Sequence, residues 1–124
     1  MSSGAHLPPG WPPEVRPPGA PHWERSAVGW MLDLCPPEYR GHEVVVRHPA
    51  LLAWLAGHHV DGQLQGTRRA LATARSELAG VLSPPALRQA VDAIEQEEAR
   101  LVAARRALTL LGDALRGVRY VPRL

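Results

Sequence analysis

The sequence predicts an all-α protein: a long antiparallel helical hairpin, coiled-coil-like in its packing, covered by a short N-terminal amphipathic helix and preceded by a Pro-rich arm. Three observations carry this. Two long stretches, about 49–81 and 84–116, repeat apolar residues in steps of four and three, the spacing of one helical stripe. A Leu82-Ser83-Pro84-Pro85 break separates them. Their charges also match when one stretch is folded back on the other.

Taken in order, residues 1–21 form the arm, and 22–124 a single helical domain ending in a tail, 117–124. Seven of the 13 prolines precede His22, interleaved with Gly10, Trp11 and Gly19. A segment with that composition cannot be helical and favours extended polyproline II geometry. Trp11 is a large aromatic for such an arm, and the expected use for it is to pin the arm onto the hairpin. From about 22 to 35 the pattern turns helical. Trp23, Ala27, Trp30 or Met31, and Leu34 share a face, Glu24, Arg25 and Asp33 lie elsewhere, and Pro36-Pro37 stops the helix.

The connection 36–48 reads as irregular. It holds a turn at Pro37 to Gly41 and a β-branched run, Glu43-Val44-Val45-Val46, too short for a sheet and expected to lie extended across the helices. Pro49 opens the first long helix, with Leu51, Leu52, Trp54 and Leu55 apolar nearly all round its first turns. Its stripe then continues through Val60, Leu64, Thr67, Leu71, Ala74, Leu78 and Val81. Gly57, Gly62 and Gly66 interrupt it, each at a cost of up to ~1 kcal/mol relative to Ala. Close packing against a tryptophan, a kink, or a break near His58-His59 would each account for them.

Ser83 is a suitable N-cap for the second long helix, and Pro84 suits its first position, where no amide donor is required. The stripe there is Ala90, Ile94, Glu97, Leu101, Ala104, Leu108, Leu111 and Leu115. Gly117 stands where a left-handed C-terminal cap is expected. Antiparallel pairing about Ser83 sets Arg69 opposite Glu97, Arg75 opposite Asp92, Glu77 opposite Arg88 and Asp61 opposite Arg105. Exposed pairs contribute well under ~1 kcal/mol each, so they choose register more than they stabilise. The Glu95 to Glu98 cluster, with Glu97 on the stripe, is expected to face Arg68 and Arg69 as an ion-pair layer. In the tail, Val118, Tyr120 and Val121 are apolar, Pro122 bars helix, and the segment is expected beside the Glu43 to Val46 run.

A two-helix hairpin closes no core by itself. The short helix is expected to cover the open end near Leu51, Trp54, Leu55, Leu108, Leu111 and Leu115. The turn end then projects free, which makes Leu78, Leu82, Pro84, Pro85 and Val91 the candidate interaction surface.

Composition limits function. The chain has 124 residues, room for one small domain, and a net charge of +2. The isoelectric point near 9.3 overstates a basic character, because many arginines have acidic partners in the hairpin. All 14 basic residues are Arg, and Lys, Asn and Phe are absent, as codon bias in a GC-rich bacterial genome would produce. One cysteine excludes an internal disulfide framework and fits a reducing cytoplasm. Met1 to Pro21 lacks the apolar core of a signal peptide, and no run approaches the ~20 apolar residues of a membrane span.

The six histidines and Cys35 show neither paired-Cys spacing nor a Glu-x-x-His pair, and His58 and Asp61 with His42 or His48 make only a loose cluster. No Gly-rich phosphate loop, Ser-His-Asp order or paired-carboxylate motif is present, and Cys35 closes an apolar helical stripe where burial is expected. The expectation is therefore no enzyme, no metal and no cofactor.

Trp11-Pro12-Pro13-Glu14-Val15, the run Leu32-Asp33-Leu34-Cys35-Pro36-Pro37-Glu38-Tyr39-Arg40 and the ending Arg119-Tyr120-Val121-Pro122-Arg123-Leu124 together resemble small helical proteins of actinobacteria. The resemblance spans nearly the whole chain and implies no activity, ligand or residue role. Two expectations of different class follow from the residues themselves. One is a protein-interaction or structural module, working through the hairpin and the Trp-rich surface with a second copy or another protein. The alternative is a weak nucleic-acid binder using Arg105, Arg106, Arg116, Arg119 and Arg123.

Overall fold

The computed structural model describes residues 7–122. Four α-helices follow the Pro-rich segment: α1 (Trp23–Leu34), α2 (Glu43–Arg47), α3 (Pro49–Leu78) and α4 (Pro84–Leu115), with a 3-10 turn at Pro37–Gly41 between the first two. Among the described residues there is no strand. The helices α3 and α4 run antiparallel against each other along their length and form the frame to which everything else is attached.

The hairpin is built as its sequence dictates. At the start of α4 the Ser83 hydroxyl accepts the Ala86 amide at 3.3 Å, while Pro84 and Pro85 occupy positions whose amides would have no helical acceptor. At its end Gly117 takes a left-handed φ of 83°, so that the Val118 amide reaches the Asp113 carbonyl and the Gly117 amide reaches that of Ala114. Register is recorded by Asp61 to Arg105 at 2.7 Å and Arg68 to Glu98 at 2.8 Å. Gly112 lies so close to α3 that a Cβ there would stand 3.8 Å from the Ala53 Cβ.

Several local expectations are corrected. The pairs Arg69–Glu97, Arg75–Asp92 and Glu77–Arg88 are not formed; Glu97 is instead held by Arg100 one turn along its own helix, which lowers its carboxyl below the usual range. The first long helix ends at Leu78 rather than 81, and the Val81 and Leu82 amides both turn back to the Leu78 carbonyl. It runs unbroken through His58-His59. Gly57 packs against no tryptophan: the Arg105 guanidinium crosses it, 3.7 Å from where a Cβ would be, while Gly62 and Gly66 face open space. Trp54 is left 53% exposed, its ring edge-on to His58 at 4.7 Å, so α1 does not cover that side of α3.

What α1 does cover is the opposite side of the same end. Ala27 and Met31 are wholly buried against Leu52, Ala56 and Val60 of α3 and Leu108 and Leu111 of α4. Each such side chain contributes about 1.5–3 kcal/mol by leaving water. The Val44 to Val46 run is helical, not extended. An isolated strand would leave its amides and carbonyls without partners, whereas one helical turn satisfies them locally, spanned by the Glu43–Arg47 ion pair and tucking Val45 into the core.

The arm from residue 7 to 21 is folded rather than extended. Pro8-Pro9-Gly10-Trp11 and Pro17-Pro18-Gly19-Ala20 each close an amide-to-carbonyl bond, at 3.1 and 3.0 Å, with glycine φ of 99° and 88°. Proline at the second turn position and a positive-φ glycine at the third are what a type II turn requires. Pro12 to Val15 forms another turn, at 3.1 Å, and delivers Val15 into the main core at 3% exposure. The Trp11 indole closes the arm on itself by donating to the Val15 carbonyl (2.9 Å), and the arm is anchored to the helices by Arg106 of α4 donating to the Pro9 carbonyl (2.9 Å) and by the Arg16 amide donating to the Ser26 hydroxyl of α1 (3.0 Å). Among the described residues no helix is long and apolar enough to cross a membrane.

Candidate functional site

Two surfaces bring together side chains that the fold does not use up. The first is the distal half of the hairpin. The contiguous core reaches Leu64 on α3 and Leu101 on α4; beyond them only Ala74 and Val91 are buried. Leu71, Leu78, Leu82, Leu87 and Ile94 stay half-exposed, because two helices alone present each stripe to one neighbour and leave its flanks to water.

Of the expected surface residues, Leu78 and Leu82 are half-buried and Pro84 and Pro85 exposed. Val91 is corrected: at 3% exposure it belongs to the small distal core and forms the floor of a surface, not its crest. Val81, placed on the buried stripe by its spacing, is 72% exposed because the helix ends before it. A shallow groove of about 390 Å³ lies here. Leu87, Val91 and Pro84 line it with Arg75, Arg88 and Asp92, and those three charged residues form no ion pair among the described residues.

The second surface lies at the other end, where the arm, the start of α1, the end of α4 and the tail meet around a groove of about 660 Å³. The Trp11 and Trp23 rings, 6.4 Å apart and tilted by 41°, share its wall with Pro8, Leu110, Val118 and Tyr120. The tail therefore lies beside the arm, and not beside residues 43–46 as its alternation suggested. Sequence reasoning did not assemble this groove. The signal was the pair of Pro-Pro-Gly turns, which return the arm to the helix that follows it.

The arginines of the alternative reading are divided. Arg105 is held by Asp61 and by the Thr109 hydroxyl (both 2.7 Å), and Arg106 is bound to the arm. Arg116 and Arg119 are exposed; Arg123 lies outside the described residues. Cys35 caps α1 and is buried, and that burial raises its thiol from the ordinary value of 9.0, with Arg40 pulling weakly the other way. A neutral thiol under cover is a poor nucleophile. Among the described residues no three His, Cys, Asp or Glu side chains stand close enough to hold a metal ion.

No protein-family model, curated protein or solved structure matches the chain.

Proposed function

We propose that this protein is a non-enzymatic interaction or structural module whose hairpin and Trp-bearing surfaces bind protein. The observation that carries this is the imbalance of the hairpin: beyond Leu64 and Leu101, two long helices run on with only Ala74 and Val91 buried between them. A helix stripe left half-wet gains about 25 cal/mol for each Å² of apolar surface a partner removes from water. The single thiol supports placing that activity in a reducing cytoplasm.

Nucleic-acid binding loses support because Arg105 and Arg106, its two helical arginines, are occupied within the fold. Affinity capture from the organism that encodes the chain, run in parallel with the wild type and with Val81→Asp/Leu82→Asp, tests the reading. Proteins retained by the wild type and lost with the variant are the expected result; identical sets, or none with either, would remove it.

A further inference from the structure

We propose that the distal hairpin pairs face to face with the same face of a second copy of this chain, Arg75 of each copy bonding Asp92 of the other across an apolar floor of Leu87 and Val91. The proposal rests on the reading of the hairpin as an interaction surface and names its occupant.

The charge distribution selects that occupant. The distal part of α3 carries Arg68, Arg69 and Arg75 against Glu77 alone, whereas the facing part of α4 carries Asp92, Glu95, Glu97 and Glu98 against Arg88 and Arg100. Within one chain this contrast is used only once across the hairpin, at Arg68 to Glu98. A surface with a basic helix beside an acidic one is complementary to its own copy turned by a two-fold axis, which sets each basic helix over the partner's acidic one.

When that axis runs parallel to the helices, both hairpin turns point the same way, and each α3 lies antiparallel to the partner's α4. Heights along the bundle are then those of the intramolecular register, which puts Arg75 level with Asp92. Both residues line the same groove, so both belong to the face that would meet the partner. The product is a four-helix arrangement in which Leu87 and Val91 of the two copies face each other, as in antiparallel bundles.

Size sets the strength. From Leu64 to Leu78 the free length is about 20 Å, and two helices are about 20 Å wide. A face of that size is small beside the roughly 800 Å² per partner of a standard stable interface, so the dimer is weak and appears only as concentration rises.

Charge exchange tests it. Sedimentation equilibrium of the whole protein up to about 1 mM should show reversible dimerisation of the wild type. Arg75→Glu alone and Asp92→Arg alone should each weaken it by about tenfold or more, with helical circular dichroism unchanged. Mixed in equal amounts, these two variants should associate with each other, and the chain carrying both substitutions should dimerise like the wild type. If a charge-reversed chain loses its helical signal, Arg75→Gln and Asp92→Asn provide the same comparison, each weakening the dimer.

A wild type that stays monomeric throughout, single variants that dimerise undiminished, or a mixture that fails to associate would each overturn the proposal. None of these results decides whether the face binds a different protein, which the capture comparison settles separately.

Discussion

The two ends of one helical hairpin solve the same problem differently. At the end where the arm and the tail meet the hairpin, α1, α2 and the folded arm lie over α3 and α4, and every large side chain that is essentially fully buried is found there: Met31, Leu52, Val60, Leu101, Leu108 and Leu111. At the turn end the same two helices continue with Ala74 and Val91 as their whole core. The helices do not change character between the ends; what changes is whether a third layer covers them. A helix pair buries one stripe, and a core needs the flanks of that stripe covered as well. Stability should therefore be unevenly spread, with the turn end opening first.

Truncation tests that contrast most strongly. Leu111→Ala should cost about 3–4 kcal/mol, because the side chain is wholly enclosed and its surroundings, drawn from three helices, cannot collapse onto the void. Val91→Ala removes two methyl groups between only two helices and should cost roughly 1–2 kcal/mol. Urea denaturation compares them directly. The Cys35 thiol, buried in the covered end, reports where the loss falls, since its labelling should accelerate greatly in Leu111→Ala and little in Val91→Ala. Equal costs would mean that the hairpin is uniformly stabilised and that the contrast between its ends has no energetic content.

The arm sharpens the comparison from the covered side. Trp11 donates to the Val15 carbonyl, packs against Trp23 and holds the turn that inserts Val15. Trp11→Ala should cost about 2 kcal/mol, less than a fully buried aromatic because the ring is only half-covered. It should also expose the Glu14–Val15 bond to a glutamate-specific protease, since that bond is held by the insertion of Val15. An unchanged melting temperature with unchanged cleavage would show the arm to be a passenger on the covered end and not part of it.

How much of this was legible beforehand follows a physical division. The hairpin, its turn and its caps were, since 3.6-residue periodicity, Ser-Pro-Pro and a terminal glycine are local signals with local causes. Register was legible too, through Asp61 and Arg105. What escaped depended on choices between partners. Val44 to Val46 has strand propensity, but a strand needs a neighbour and a helical turn does not. Glu97 had Arg69 across the groove and Arg100 on its own helix, and the nearer partner won. Val91 was placed at the surface by its closeness to the turn, although it lies on the buried side of α4. The Pro-Pro-Gly turns were readable in principle: proline and a following glycine specify the fold of the arm as firmly as its composition suggests extension. The groove they make with the tail was not, because it joins residues from opposite ends of the chain.

The smallest effects separate packing from charge as the source of register. Asp61–Arg105 lies inside the covered end and Arg68–Glu98 just beyond it, so the two pairs straddle the boundary. Arg105 is also fixed by Thr109, which lowers the entropy its ion pair must overcome, whereas Arg68 meets Glu98 unaided. Double-mutant cycles should give both couplings below about 1 kcal/mol, the Asp61–Arg105 value being the larger, and ~1 M salt should shrink the Arg68–Glu98 value towards zero. Removing both pairs should leave the helices in their present alignment, because the close packing of the buried Leu64, Leu101, Leu108 and Leu111 in the covered end favours that fit without them. A disulfide between cysteines placed at positions 61 and 105 reads this out. If it forms readily in a chain lacking the Arg68–Glu98 pair, packing alone holds the register. Should it fail to form while the helical signal persists, the exposed pair beyond the boundary is what aligns the hairpin, and the turn end then contributes more to the fold than its two buried residues suggest.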